Sequence, residues 1–126
     1  MHILIADDHG PVRDQLRSVL QKYQPEWEIS EASNGNEAIE LYRKTTPDVA
    51  VLDIVMSPMG GVAAAYEIRR INSDAKIIFI SGHYTMRDAS VVTRLLGAGA
   101  FVQKDQAVRL LVPTIKRLLD ETQPNA

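Results

Sequence analysis

Apolar residues follow two alternating patterns along this sequence. Short β-rich stretches occupy residues 2–6, 27–32, 49–53, 76–80 and 100–102. The runs VAVL and IIFI within them are unbroken, which is typical of strands buried on both faces. Apolar residues recur at helical spacing elsewhere, which predicts helices at 11–23, from 36 until Thr45, at 62–71, at about 85–96 and at about 107–119.

The order of these elements predicts the fold class. Strands that alternate with helices favour a parallel sheet covered by helices on both faces, and right-handed crossovers leave few ways to connect it. We predict an α/β fold, a single doubly wound (βα)5 sheet of the flavodoxin-like type with strand order 2-1-3-4-5. Residues 1–120 form one domain in this prediction, and residues 121–126 are a flexible tail or the start of a linker.

Prolines mark two details of the predicted helices. Pro11 suits the first turn of the first helix, with Asp8 as a candidate N-cap. Pro113 falls inside the last helix, where a proline removes a backbone hydrogen bond and bends the helix.

Composition narrows the classes of function. The 126-residue chain has a net charge of -2 and no run of Lys and Arg, which argues against direct nucleic-acid binding. The absence of cysteine excludes disulfides, a thiol nucleophile and cysteine-based zinc sites. No apolar stretch is long enough for a membrane span or for the core of a signal peptide. We therefore expect a cytoplasmic protein that binds neither membranes nor nucleic acid directly.

Four of the five predicted strands end in polar side chains. Asp7 and Asp8 follow the first strand, Asp53 ends the third, Ser81 follows the fourth and Lys104 follows the fifth. Parallel strands bring their carboxyl ends to one edge of the sheet, where ligands bind in open α/β folds. With the first strand beside the third, the three carboxylates would face one another across a crevice.

Three adjacent carboxylates repel one another unless a cation lies among them. A site of hard oxygen ligands suits Mg²⁺, with Mn²⁺ as an alternative ion, whereas Ca²⁺ would need more ligands. Lys104 offers a positive charge and Ser81 a hydroxyl group to an anion beside the metal. This combination predicts a phosphoryl site in which a carboxylate acts as nucleophile and forms an aspartyl phosphate.

Each of these side chains also has an ordinary interpretation. Asp7 and Asp8 could be a helix cap and a solvated neighbour, and a lone Ser or Lys after a strand is commonly a surface residue. His9 and His83 could be metal ligands, although exposed loop histidines are more common. The placement of all the required groups at one edge favours the functional hypothesis.

Four ordered motifs resemble those of a known family. They are IADDH at 5–9, LDIVM at 52–56, ISG at 80–82 and GAGAFVQKD at 97–105. Together they resemble the CheY-like receiver domain of two-component response regulators over essentially the whole chain. ASNG at 32–35, and KD in place of the more common KP, resemble the NarL/FixJ type, whose members usually carry a C-terminal helix-turn-helix DNA-binding domain.

The resemblance implies a role for each site residue. Asp53 would accept a phosphoryl group from the phosphohistidine of a sensor histidine kinase or a phosphotransfer protein, and Lys104 would pair with that group. Ser81 and Phe101 would form a switch that reshapes the surface of the fourth helix, the fifth strand and the last helix. The ligands of Mg²⁺ would be Asp7, Asp8, Asp53 and the backbone carbonyl of Val55.

The resemblance also implies an output. Catalysis would be limited to self-phosphotransfer and slow autodephosphorylation, so we do not expect an enzyme with a separate substrate. A DNA-binding domain absent from this chain would regulate transcription. Homodimerisation on phosphorylation stays open.

Two departures from the family pattern concern the backbone. Ser57 stands where the loop after Asp53 usually has Pro, and Pro58 follows it, so we do not expect the usual loop conformation. Asp105 replaces a Pro that often follows a cis bond. Because a cis bond before a non-Pro residue costs about 3–4 kcal/mol, we predict a trans bond after Lys104.

Two other functions are alternatives. One is a pseudo-receiver that acts as an interaction module without phosphorylation, and the intact set of site residues argues against it. The other is a Mg²⁺-dependent aspartyl-phosphate phosphatase of the haloacid dehalogenase type. That family needs a second Asp two residues after the nucleophile, where this chain has Val55.

Overall fold

A computed structural model describes residues 1–82, 94, 97 and 99–120. The strands within these ranges are β1 (His2–Ala6), β2 (Glu28–Ala32), β3 (Val49–Asp53), β4 (Ile77–Ser81) and β5 (Ala100–Gln103). The helices bounded there are α1 (Gly10–Tyr23), α2 (Gly35–Thr45), α3 (Gly61–Ile71) and α4 (Ala107–Asp120), with a 3-10 turn at Lys104–Gln106. The helix predicted at about 85–96 lies outside the described residues apart from Arg94, and so does the predicted tail at 121–126.

All five strands pair in parallel, in the order β2-β1-β3-β4-β5. The predicted fold class and strand order are therefore confirmed. Every residue of β3 and β4 is buried, as the unbroken apolar runs indicate for strands in the middle of a sheet. The register pairs Asp53 with Ile80 and Ser81 with Gln103, so the strand ends that carry the predicted site lie at one edge.

Side chains alternate between the two faces of the sheet, and each face has its own core. Ile3 and Ile5 belong to the core that includes the apolar faces of α1 and α4. Leu4 and Ala6 belong to the core under α2 and α3. Helices thus cover both faces, as a doubly wound sheet requires. None of the helices in the described part of the chain is long and apolar enough to cross a membrane.

The start of α1 differs from the prediction. The N-cap is His9 rather than Asp8, and the His9 side chain makes no capping hydrogen bond. The backbone stays extended through His9, whose N–H donates to Asp7 Oδ1 at 2.9 Å, so the helix begins one residue after it. The expectation that Asp8 caps α1 is wrong for this reason.

Three other local predictions have clear outcomes. Pro113 lies inside α4, which continues through it to Asp120, and the residue is exposed. The cis peptide bond found among the described residues is Ser57–Pro58, so the bond after Lys104 is trans, as predicted. α2 begins at Gly35 instead of Asn36, because Asn34 caps it by accepting a hydrogen bond from the Glu37 N–H at 3.0 Å.

Candidate functional site

Asp53 occupies the carboxyl end of β3, the strand at the centre of the sheet. It is 1% exposed, which is unusual for an ionisable side chain. Its Oδ1 accepts a hydrogen bond from the Val55 N–H at 3.1 Å, and its Oδ2 accepts one from Lys104 Nζ at 2.8 Å. Both oxygens therefore have partners in the folded chain.

The loop after Asp53 turns back tightly against its own strand. The Gly61 N–H donates to the Ile54 carbonyl at 3.1 Å, and a Cβ at Gly61 would lie only 2.2 Å from the Asp53 carbonyl oxygen. The far side of the loop is fixed where the Gly35 N–H donates to the Met59 carbonyl at 2.8 Å. Gly61 and Gly35 thus hold the segment that follows the buried carboxylate.

Lys104 brings a positive charge between two buried carboxylates. It follows β5 directly, in the 3-10 turn that leads into α4. Its Nζ lies 2.9 Å from Asp7 Oδ2 and 2.8 Å from Asp53 Oδ2, and its side chain is 18% exposed. The ammonium group therefore offsets part of the repulsion between Asp7 and Asp53.

Asp8 and His9 complete the acidic cluster on its solvent side. His9 Nδ1 lies 2.9 Å from Asp8 Oδ1 and 3.4 Å from Asp7 Oδ1. One ligand atom from each of Asp7, Asp8, His9 and Asp53 falls within 4.8 Å of the others. The three carboxylates predicted to converge do so, with an imidazole beside them.

The protonation of the two central groups reflects their burial and their pairing. Burial raises the pKa of Asp53, the hydrogen bond from Lys104 lowers it and the nearby Asp7 raises it, with a net increase. Burial alone would lower the pKa of Lys104, but its hydrogen bond to Asp53 and its ion pair with Asp7 outweigh burial and raise it. Lys104 therefore remains protonated at neutral pH.

The remaining predicted residues lie around this centre. Ser81 is fully buried at the end of β4, one register position beyond Ile80, the partner of Asp53. Phe101 lies on β5, where it pairs with Phe79 of β4. It is half-buried and packs against the core under α2 and α3. Val55 is 42% exposed, and its N–H reaches Asp53.

The donor set fits a hard divalent cation. Three carboxylates at one edge offer oxygen ligands and more negative charge than Lys104 alone can offset. Oxygen ligands with room for water are the preference of Mg²⁺. Asp7, Asp8 and Asp53 are the described residues that would hold it.

Comparison with known proteins decides the family. The family model of the response regulator receiver domain matches residues 3–116. This chain belongs to the receiver domain family. Receiver domains typically bind Mg²⁺ at such an acidic cluster and interact with histidine kinases or phosphotransfer proteins.

Relatives of this receiver domain include both single domains and longer regulators. It is 37% identical to chemotaxis protein CheY of Bacillus subtilis, covering 92% of this chain and 96% of CheY. It is 32% identical to the transcriptional regulatory protein DegU of Brevibacillus brevis, covering 92% of this chain but 49% of DegU. The crystal structure of a LuxR-family two-component response regulator from Aurantimonas sp. SI85-9A1 matches with a TM-score of 0.87 and 30% identity, covering 95% of this chain and 85% of that one.

These similarities confirm the predicted CheY-like receiver domain, and those to DegU and the LuxR-family regulator are consistent with the NarL/FixJ type.

One residue of the receiver site is predicted from the sequence only as a less favoured metal ligand, and another is not predicted at all. His9 was considered a less favoured ligand, yet it lies within the carboxylate cluster, and its side chain is 63% exposed. Arg13 donates to the Asp7 carbonyl at 2.7 Å and lies 3.5 Å from Glu31, so it ties the acidic loop to α1 and β2. Its position one turn into α1, four residues after His9, was the signal that could have identified it.

Proposed function

We propose that this receiver domain accepts a phosphoryl group on Asp53 from the phosphohistidine of a sensor histidine kinase or a phosphotransfer protein. It would act in the cytoplasm, and its own catalysis would consist of phosphotransfer to itself and slow dephosphorylation. Phosphorylation would change a surface that controls a partner or a homodimer. Transcription would be the final output, through a DNA-binding domain outside this chain.

The observation that supports the proposal most is the environment of Asp53. This carboxylate ends the central strand, contacts Lys104 at 2.8 Å and lies in one cluster with Asp7 and Asp8. A structural carboxylate needs one counter-charge, whereas the described residues of this edge bring three carboxylates together, and the Lys104 ammonium group contacts two of them. An arrangement of this kind suits the binding of a cation and a phosphoryl group together.

The transfer step follows from these contacts. An Asp53 carboxylate oxygen attacks phosphorus, a P–O bond forms, and the P–N bond to the donor imidazole breaks with its electron pair returning to the nitrogen. Lys104, already beside Asp53, then pairs with the phosphoryl oxygens. Mg²⁺, held by Asp7, Asp8, Asp53 and the backbone carbonyl of Val55, would supply positive charge that offsets the charge of the transferred group.

The response would use Ser81 and Phe101. Ser81 is buried at the end of β4, the strand next to β3, and its hydroxyl group would bond a phosphoryl oxygen on Asp53. Phe101 is half-buried on β5, at a position where an inward rotation would change the surface of β5 and α4. The phosphoryl group would select the inward packing through its bond to Ser81.

The test is phosphorylation by a small donor. Wild type, Asp53→Asn and Asp74→Asn are incubated with acetyl phosphate and Mg²⁺, and their intact masses are measured. Asp74 is a matched control because it is an exposed loop aspartate after α3, outside the cluster. We expect wild type and Asp74→Asn to gain one phosphoryl group and Asp53→Asn to gain none.

Chelation of the divalent ion should abolish the gain in wild type. The proposal is wrong if wild type gains no phosphoryl mass while its circular dichroism shows a folded chain, or if Asp53→Asn gains as much as wild type.

A further inference from the structure

We propose that His9 supplies a nitrogen ligand to the metal centre, so that the site binds borderline transition ions of the Co²⁺, Ni²⁺ or Zn²⁺ kind ahead of Mg²⁺. The ligands would be His9 Nδ1, Asp8 and Asp53. This inference rests on the proposed function, because it concerns the same ion site. It goes beyond the proposed function by naming His9 as a further ligand and transition ions as a further class of ion.

The distances from His9 Nδ1 to the neighbouring carboxylates are close to the separation of two ligands on one ion. Bonds of about 2.0–2.2 Å to nitrogen and oxygen place adjacent ligands of an octahedral ion roughly 3 Å apart. His9 Nδ1 lies 2.9 Å from Asp8 Oδ1 and 3.4 Å from Asp7 Oδ1. One cation can therefore contact the imidazole and a carboxylate without a large movement of either.

The backbone of His9 is fixed while its ring extends into the cluster. Its N–H donates to Asp7 Oδ1 at 2.9 Å, and its carbonyl accepts the Arg13 N–H at 3.1 Å in the first turn of α1. As the N-cap of α1, it makes no side-chain capping bond. The imidazole can therefore bind a metal without disrupting the start of the helix.

Asp8 is a better second ligand than Asp7. Asp8 Oδ1 lies 2.9 Å from His9 Nδ1, whereas Asp7 Oδ1 lies 3.4 Å away and Asp7 is fully buried. Asp8 is 31% exposed and faces the His9 ring. Asp53 is the carboxylate of the cluster that would also carry the phosphoryl group, so an ion held by His9 and Asp8 stays next to the reacting atom.

The imidazole changes which ion the site prefers. Carboxylates and water suit Mg²⁺, whereas an imidazole nitrogen favours later first-row ions, whose affinity for mixed nitrogen and oxygen sites rises along the series. A nitrogen ligand thus adds much to the binding of Co²⁺ and little to that of Mg²⁺. Selectivity between these two ions reports directly on His9.

The test compares ions and histidines. Wild type, His9→Gln, His2→Gln and His83→Gln are titrated with Co²⁺ and with Mg²⁺ by calorimetry. His2 is a matched control because it lies at the opposite end of β1, where its ring contacts Ser30 Oγ. We expect His9→Gln to lose roughly tenfold or more in Co²⁺ affinity, the lower end of what even outer-shell partners cost. Its Mg²⁺ affinity should change less than about twofold, since magnesium gains little from nitrogen.

Proton NMR of the Co²⁺-loaded proteins gives a second readout. A coordinated imidazole shows a strongly shifted ring C–H resonance, which we expect in wild type, His2→Gln and His83→Gln but not in His9→Gln. The inference is overturned if wild type lacks this resonance, if His9→Gln keeps it, or if both ions lose affinity equally in His9→Gln.

The proposed function is judged separately, by phosphorylation of wild type with Mg²⁺. If that succeeds and the shifted resonance is missing, the inference about His9 alone fails. If wild type binds neither ion and gains no phosphoryl group, both fail.

Discussion

At the scale of single residues, the surroundings of Asp53 have opposing effects on its pKa. Burial and the neighbouring Asp7 raise its pKa, and the hydrogen bond from Lys104 only partly reverses this effect. Ionisation of Asp53 therefore costs more free energy in the folded chain than in the unfolded chain. Such a cost is expected where a group is placed for chemistry, and it gives the site measurable effects on stability.

Asp53→Asn should raise the melting temperature by a few degrees at pH 7 without divalent ions. Folding raises the pKa of Asp53, so the folded state binds the proton more tightly than the unfolded state. The resulting cost is full above the folded pKa and disappears as pH falls below the ordinary value of 3.8. Thermal unfolding of both proteins from pH 4 to pH 8 should show a difference that grows with pH, and a constant difference would contradict this origin.

Lys104→Met should destabilise the domain strongly. It leaves Asp7 Oδ2 and Asp53 Oδ2 buried without their cation, and removing one partner of a buried ion pair typically costs about 3–5 kcal/mol. Urea unfolding measures the change, with the exposed Lys116→Met as a matched control expected within about 0.5 kcal/mol of wild type.

The loss from Lys104→Met should shrink in an Asp53→Asn background, where only Asp7 stays unpaired. Equal losses in the two backgrounds would show that Lys104 acts by packing instead of charge.

At the scale of elements, sequence patterns predicted what is buried better than where hydrogen bonding begins. β3 has its predicted bounds because both its faces are apolar. The predicted second strand includes Trp27, which is buried, but β2 begins at Glu28 because Glu28 is the first residue that pairs with β1. The cap of α1 was misassigned for a similar reason, since the choice between Asp8 and His9 depends on a contact with Asp7.

Gly61→Ala should destabilise the β3–α3 connection, whereas Gly10→Ala should not. Both glycines are the first residues of helices, but a Cβ at Gly61 would lie 2.2 Å from the Asp53 carbonyl oxygen. The nearest atom to a Cβ at Gly10 is 3.8 Å away, on the flexible Arg13 side chain. We expect Gly61→Ala to cost about 1–3 kcal/mol or more in denaturant unfolding, as overpacking does.

Gly10→Ala should be neutral or slightly stabilising, because it reduces the entropy of the unfolded chain. If both variants lose a comparable free energy of unfolding, the loss comes from replacing the first residue of a helix and not from the close approach to the Asp53 carbonyl. Weakened Mg²⁺ binding in Gly61→Ala would further show that this loop positions the metal ligands.

At the scale of the whole molecule, the site exists only because the sheet is complete. Asp53 and Lys104 are 51 residues apart in the chain and meet because β3, β4 and β5 are parallel and in register. The convergence of the strand ends was predictable from the alternation of strands and helices. The position of Lys104 between two carboxylates was not, because it depends on side-chain distances that no periodicity encodes. The same limit explains why the Arg13 contact with the Asp7 carbonyl was missed.

Because the ligands follow β1 and end β3, ion binding should stabilise the fold as a unit. Mg²⁺ that binds the folded chain alone contributes about 2.7 kcal/mol at one hundred times its dissociation constant. For a domain of this size that corresponds to roughly 10 °C in melting temperature, at about 4 °C per kcal/mol. A titration with Mg²⁺ at constant ionic strength, followed by thermal unfolding, measures the effect.

Asp8→Asn separates specific binding from general charge screening in that titration. Asp8 is the most exposed carboxylate of the three, so its replacement should change the fold little while shifting the Mg²⁺ dependence to higher concentration. Screening would raise the melting temperature of both proteins alike, and NaCl would do the same. If the melting temperatures of wild type and Asp8→Asn rise in parallel with Mg²⁺ concentration, a metal centre at this edge is contradicted. If the melting temperature of wild type rises at lower Mg²⁺ concentration than that of Asp8→Asn, the stability of the whole sheet depends on the ion that the phosphoryl chemistry needs.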